Sequence, residues 1–188
     1  MTIFEYLSVA VSILLSLAAV RLIIGLPYAA ASPHRYWVHL VYLVAVAVQT
    51  ILIWWNSWAY RQVQEWLLPD FVLILLIPAT LYFIVGTLVP DNPSTVVSWK
   101  MHFYQIHTRF FLAYILLFLL FSLSSFSLLG LPLLHPQRIA HVVGIAACAL
   151  GAYSTSERLH AALACFFLVA LTGAIAAFFL RPGAIAPS

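Results

Sequence analysis

Charged side chains are scarce in this sequence. Among 188 residues there are 8 Lys and Arg and 5 Asp and Glu, so 7% of the chain is charged and 65% is hydrophobic. A typical soluble domain carries about 25% charged residues. A water-facing surface built from this composition would expose large apolar patches and aggregate. Lipid must therefore surround most of the chain.

Basic clusters and motifs of catalysis are also missing. The formal net charge is +3, without a run of Lys or Arg, which excludes nucleic acid as a partner. Cys148 and Cys165 lie inside apolar segments, where they suit neither a disulfide nor a zinc site. No local Ser–His–acid or Cys–His motif is present, so the sequence favours a protein without enzymatic activity but leaves an enzyme open. The N-terminus carries the acidic Glu5 and has no basic residue ahead of the first apolar run, whereas a cleavable signal peptide begins with basic residues. We therefore expect this run to remain as the first span.

Long apolar segments recur along the chain, separated by clusters of Pro, Gly, Asp and Asn. Crossing a ~30 Å hydrocarbon layer takes about 20 helical residues. The sequence therefore predicts an all-α integral membrane protein, one domain over residues 1–188, built as a bundle of six transmembrane helices with short loops. The spans are placed at 3–26, 36–60, 71–89, 110–129, 139–155 and 159–180.

The distribution of basic residues predicts the orientation of these spans. One side collects Arg21, Arg35, Lys100, Arg109 and Arg158, and the other Arg61, Arg138 and Arg181. Positive residues favour the cytoplasmic side, so both termini are expected in the periplasm of a bacterial inner membrane. Tryptophans would then form two interfacial belts, with Trp54, Trp55, Trp58 and Trp66 outside and Trp37 and Trp99 inside.

The segment before the fourth span has the pattern of an amphipathic helix. One face carries Trp99, Phe103, Ile106 and Phe110, and another carries Ser98, His102, Gln105 and Arg109. Nothing breaks this pattern before Phe110, so the sequence predicts a cytoplasmic extension of the fourth helix at the level of the headgroups.

The second span carries a polar stripe. It consists of His39, Tyr42, Gln49, Asn56 and Tyr60, which lie within about 100° of one another on a helix. Polar groups at membrane depth need partners inside the protein. The stripe could supply hydrogen bonds between helices, or it could line a cavity for a substrate or ion.

Small residues recur at intervals of three, four or eight positions on three spans. They are Ser8, Ser12, Ser16 and Ala19 on the first, Ala140, Gly144, Cys148 and Ala152 on the fifth, and Ala161, Cys165, Gly173 and Ala177 on the sixth. Such faces allow helices to approach closely, so we expect the fifth and sixth spans to form a tightly packed hairpin.

Several stretches of the sequence resemble a widespread group of small bacterial inner-membrane proteins without an assigned activity. These stretches are FEYLSVAVSILLSLAAVRLI, RYWVHLVYL, QTILIWWNSW, EWLLPDF, LIPATLYFIVGTLVPD and HFYQIHTRFF, and the resemblance covers roughly residues 2–120. It implies six spans and an inner-membrane location. Thr108 interrupts the basic cluster that this resemblance would place around Arg109.

Three functions remain open from the sequence. The first is a small channel, transporter or ligand sensor built on the polar stripe. The second is an accessory or scaffold subunit of a larger membrane complex, or a homo-oligomer. The third is a haem or quinone redox subunit, suggested by seven histidines, although these lack the spacing of a metal site and we expect no cofactor.

Positively charged and histidine side chains are expected to gather at the cytoplasmic rim. They are Arg35, Lys100, His102, His107 and Arg109. If the second and fourth spans are neighbours, this rim would favour anionic lipids of the bilayer or a small anionic ligand.

Overall fold

The computed structural model describes residues 2–180, and this part of the chain is helical without any strand. Its helices are α1 (Ile3–Ala31), α2 (Trp37–Ser57), α3 (Leu68–Leu88), α4 (Trp99–Ser127), α5 (Pro136–Tyr153) and α6 (Glu157–Ala174). Short 3-10 turns follow α2 and α3, at Trp58–Gln62 and Pro93–Thr95, and α6 continues into a π-helix at Ile175–Phe179. Arg181 lies outside the described residues.

Helix length and hydropathy support a multi-pass membrane protein. In the described part of the chain, α1, α2, α3, α4 and α6 are long and apolar enough to cross a bilayer. The exception is α5, which is less apolar because Gln137, Arg138 and His141 lie in its first two turns. The all-α membrane architecture is thus confirmed, while a crossing by α5 stays a prediction.

Local capping explains where two of the long helices begin. The Thr2 hydroxyl accepts a hydrogen bond from the Glu5 amide, and the Glu5 carboxylate accepts one from the Thr2 amide at 2.8 Å. The Ser98 hydroxyl caps α4 by accepting from the Met101 amide. As the sequence predicted, α4 runs without interruption from this cap into the fourth apolar segment.

The helices form two layers. One layer is the row α1, α3, α4 and α5, and the other consists of α2 and α6. The connections that follow α1, α3 and α5 come together at one end of the bundle. There, the Trp99 amide donates to the His34 carbonyl at 3.3 Å, and Lys100 lies 2.6 Å from Glu157.

Aromatic side chains form the core between α2 and α4. The Tyr42 ring stacks on Phe103 at 5.8 Å with an interplanar angle of 4°, and it also contacts Phe110 and Phe111. Trp99 is 1% exposed, so the expected place of Trp99 in a lipid-facing belt is wrong. The apolar face at the start of α4 packs against protein rather than against headgroups, because α2 and α6 cover it.

Two faces that the sequence predicts to pack closely against other helices do not do so in the structure. The buried residues of α1 are Leu7, Val11, Leu15, Ala18, Leu22, Gly25 and Ala29, and the serine face lies beside them on the surface. The expected tight hairpin of α5 and α6 is wrong, since α5 packs mainly on α4. Gly144 and Gly151 of α5 make room there for the rings of Phe118 and Phe111.

Candidate ligand-binding cavity

A cavity of about 500 Å³ lies between α2, α4, α5 and α6. It forms where α2 and α5 face each other without close packing, since α5 rests on α4 and α2 rests on α1, α3 and α6. Small residues on its walls leave the space open: Ala45, Ala140, Gly144, Ala170, Gly173 and Ala174. Its volume falls in the range of pockets that hold small organic ligands, about 300–1,000 Å³.

A few polar side chains reach this otherwise apolar space. They are Gln49 and Asn56 of α2, Tyr114 of α4, and Gln137 and His141 of α5. Gln137 is 7% exposed, and its side-chain oxygen Oε1 has no hydrogen-bond partner. An unpaired buried acceptor costs roughly 1–3 kcal/mol. Because this oxygen is itself inaccessible, it is not an open acceptor on the cavity wall.

His141 is held in place by its neighbours. Its Nδ1 lies 2.9 Å from the Ser122 hydroxyl, and its ring packs on Phe118 and Phe121 at centroid distances of 5.8 and 5.9 Å. Because the hydroxyl and two rings fix the imidazole, His141 presents a rigid wall to the cavity.

Aromatic rings make up much of the remaining wall. They are Tyr114, Phe118 and Phe121 of α4 and Phe166, Phe167 and Phe178 of the last helical segment. Phe178 belongs to the π-helix at Ile175–Phe179. Short π-helical turns recur at functional sites because they redirect side chains from the regular helical face.

The polar stripe of α2 divides into separate environments. Gln49 and Asn56 line the cavity, whereas the Tyr60 hydroxyl donates to the Ser124 hydroxyl at 2.9 Å. His39 and Tyr42 are fully buried in the aromatic core, and the nitrogens of His39 and the hydroxyl of Tyr42 have no hydrogen-bond partner. The stripe is thus not one continuous polar path.

The residues expected at the cytoplasmic rim also have different surroundings. Arg35 and Arg109 are exposed, while Lys100 is paired with Glu157. The His102 Nε2 atom lies 3.2 Å from the Leu88 carbonyl oxygen, and His107 is buried against His160 at a centroid distance of 5.3 Å. Of these five residues, only Arg35 and Arg109 are exposed and form no ion pair or ring contact with the described residues.

Histidines come together at this end of the bundle without forming a metal site. His39 lies 5.7 Å from His102, measured between ring centroids, and His107 makes the similar contact with His160. Among residues 2–180, no group of three His, Cys, Asp or Glu side chains has a geometry suited to a metal ion.

The sequence analysis missed the α5 side of the cavity. Gln137, His141, Gly144 and Cys148 recur at helical spacing on one face, and this pattern was the available signal. Gln137 lies outside the predicted fifth span, which begins at Ile139, so the prediction does not include the polar start of this face.

Comparisons with known proteins give no relative for this chain: no family model, no curated protein and no solved structure matches it.

Proposed function

We propose that this protein binds a small, neutral, lipophilic molecule in the cavity between α2, α4, α5 and α6, and that it acts as a ligand sensor or carrier. The cavity of about 500 Å³, with apolar and aromatic walls and a few polar side chains such as Gln49, Asn56 and His141, is the observation that carries this proposal. Mostly apolar walls with a few placed polar groups are typical of small-molecule sites.

The blocked end of the cavity favours a sensor or carrier over an open channel. Beyond Gln49, the polar stripe enters the stacked rings of Tyr42 and Phe103. Tyr42 and Phe103 are fully buried, so an ion or a column of water has no polar route past them. Transport would require these rings to move.

We place the protein in the bacterial inner membrane with both termini in the periplasm. The support is the excess of basic residues on the side of the connections that follow α1, α3 and α5, together with the resemblance of residues 2–120 to small inner-membrane proteins. The haem alternative has less support, because His141 is the only imidazole among the described lining residues. An absorption spectrum of the purified protein tests for haem directly.

Co-purification tests the proposed function. The protein is purified in mild detergent, extracted with organic solvent, and the extract is analysed by mass spectrometry. Gly173 lines the cavity, and a carbon atom added there meets no other side chain within 4 Å. Gly173→Leu should therefore fill the cavity without disturbing the fold and reduce the bound compound at least tenfold.

Ala162→Leu is the matched control. Ala162 lies on the same helix, is exposed, and is not part of the cavity wall. This variant should retain the bound compound of the wild type. The proposal is contradicted if wild type and Gly173→Leu yield identical extracts and identical binding of added lipophiles.

A homo-oligomer or scaffold role has separate support from α1. Ser8, Ser12 and Ser16 border a shallow surface groove beside the buried face of α1. The hydroxyls of Ser8 and Ser16 donate hydrogen bonds to carbonyls of their own helix, so they need no hydrogen-bond partner outside it. Small residues of this kind allow a second helix to pack closely. The mass of the particle in mild detergent decides between a monomer and an assembly.

A further inference from the structure

The cavity is open on the side of α5 and α6. Among its lining residues, Ala45, Leu52 and Ile53 of α2 are buried. Val143 of α5 and Gly173 of α6 also line the cavity, but they are exposed. The buried side chains of α2 thus form the floor of the cavity, and the exposed residues border a slot between α5 and α6.

This slot is bounded at both of its ends. Where the two helices are joined, the Ser154 carbonyl oxygen lies 2.8 Å from Nε2 of His160. At the opposite end, the ring of His135, which caps α5, contacts Phe178 at a centroid distance of 6.5 Å. Between these contacts, α5 packs mainly on α4 and α6 mainly on α2. The slot is therefore a long opening that runs beside α6.

The position of the slot along α6 places it in the hydrocarbon layer. α6 is among the helices long and apolar enough to cross a bilayer. At 1.5 Å per residue, the lining residues Phe166 and Gly173 lie about 14 and 24 Å along the helix from Glu157. The hydrocarbon layer is ~30 Å thick. A ligand can therefore enter the cavity sideways from the bilayer without passing through water.

We infer that the slot takes up a neutral lipid with a single hydrocarbon chain from the bilayer, and that this chain lies along the floor of the cavity. The inference rests on the proposed function, for which it names the class of ligand and the route of entry.

The shape and size of the cavity favour a single chain. Ala45 and Asn56, which both line it, lie about 16 Å apart along α2. The cavity is thus elongated along the helices, in the direction in which lipid chains extend. Its volume of about 500 Å³ is in the range that holds a whole small ligand, about 300–1,000 Å³. A phospholipid, with two chains and a large headgroup, exceeds that class of ligand.

The chemistry of the walls favours a neutral chain over water or an ion. Asp, Glu, Lys and Arg do not occur among the described lining residues, so an ionised ligand would lose its hydration without gaining a counter-charge. The walls are mostly apolar, and water gains few hydrogen bonds in such a space. An unfilled space would forfeit the dispersion contacts of its walls. A hydrocarbon chain restores these contacts.

Photolabelling in lipid nanodiscs tests the inference. The probe is hexadecanol with a diazirine group on its chain, and mass spectrometry locates the labelled residues after illumination. Labelling of the floor, residues 45–56, is compared with labelling around Ile13, which is exposed on α1 and reports contact with bulk lipid. We expect both regions to be labelled, and an excess of unlabelled hexadecanol should remove the label on the floor only.

Two variants and two further probes make the test specific. Gly173→Leu should lose the label on the floor and keep the label on α1, whereas Ala162→Leu should retain both. Phosphatidylethanolamine that carries the same diazirine chain should label α1 but not the floor. A compact aryl diazirine without a chain should label the floor less than the hexadecanol probe does.

Each contrary result has its own meaning. If phosphatidylethanolamine labels the floor as strongly as hexadecanol, the preference for a single-chain lipid is wrong. If only the aryl diazirine labels the floor, the ligand is compact rather than a chain, and the cavity remains a ligand site. Absence of competable label on the floor from every probe would overturn the inference. The proposed function fails with it only if the wild type also carries no compound that Gly173→Leu loses.

Discussion

The guanidinium of Arg21 lies 2.7 Å from the carboxylate of Asp91, 70 positions later in the sequence. Its Nε atom also donates to the Val89 carbonyl at 2.8 Å. Arg21 therefore ties α1 to the end of α3, where the helix has no further amide to satisfy its last carbonyls.

These two contacts should contribute unequally to stability. The Asp91 side chain is 95% exposed, and exposed ion pairs contribute about 0–1 kcal/mol. We expect Asp91→Asn to change the free energy of unfolding by less than about 1 kcal/mol. Arg21→Met should lower the free energy of unfolding by about 1.5–3 kcal/mol, because it removes charged hydrogen bonds to a half-buried carbonyl. Unfolding in detergent, followed by circular dichroism, measures both. Equal losses for the two variants would contradict this account.

A second prediction concerns the close approach of α1 to the end of α3. A carbon atom added at Gly25 would lie within 2.5 Å of Val89 Cγ2. Because Arg21 holds the Val89 carbonyl, this residue is not free to retreat. Gly25→Ala should lower the free energy of unfolding by about 1–3 kcal/mol, despite the better helix propensity of Ala.

Gly173→Ala is the control for this substitution. It sits in a helix with open space around it, so the gain in helix propensity, about 1 kcal/mol, is not opposed by a clash. The same unfolding measurement should show Gly173→Ala neutral or slightly more stable than wild type. Opposite signs for the two glycines are expected, and a stabilising Gly25→Ala would show that α1 and α3 approach less closely.

Helix positions could be predicted from this sequence, but the faces that meet could not. Apolar runs bounded by Pro and Gly define helices because backbone groups in lipid must be satisfied within the chain. Hydropathy does not distinguish protein from lipid as a neighbour, since both are apolar. The buried Leu7 and Val11 face of α1 and its exposed Ser16 therefore could not be assigned from composition.

The residues of the cavity could likewise be predicted only in part from the sequence. Gln49 and Asn56 could be singled out as polar groups at depth, and they line it. Their partners across the space, Gln137 and His141, depend on α5 packing against α4, which the sequence does not specify. Two glycines of α5 fit rings of α4, and only the folded structure pairs a given glycine with a given ring.

A third prediction tests access to the cavity with single cysteines. In a background of Cys148→Ala and Cys165→Ala, Gln49→Cys and Asn56→Cys should react with the small neutral reagent methyl methanethiosulfonate. Leu43→Cys is the control, because Leu43 is fully buried and is not part of the cavity wall. We expect the cavity positions to react at least about tenfold faster than position 43, since accessibility governs thiol reactivity. Similar rates at positions 43, 49 and 56 would mean that the cavity is closed to solutes.

The last prediction concerns anionic lipids at the end of the bundle where the connections that follow α1, α3 and α5 meet. Arg35 and Arg109 are exposed there, whereas the ammonium of Lys100 is paired with Glu157. A basic residue near a membrane surface contributes about 1 kcal/mol of attraction to anionic lipid. Arg35→Gln together with Arg109→Gln removes about 2 kcal/mol of this attraction. The enrichment of phosphatidylglycerol around the protein should therefore fall by a factor on the order of thirty at low salt, and added salt should weaken the effect.

Lys100→Gln provides the comparison within the same rim. Since the Lys100 charge is already balanced by Glu157, its loss should change lipid enrichment less than the loss of either arginine. Native mass spectrometry of the protein released from mixed nanodiscs counts the retained lipids for each variant. If Lys100→Gln has the largest effect, the ion pair with Glu157 opens in the membrane and all three basic residues bind lipid headgroups. If none of the variants changes lipid enrichment at low salt, these charges only orient the chain in the membrane.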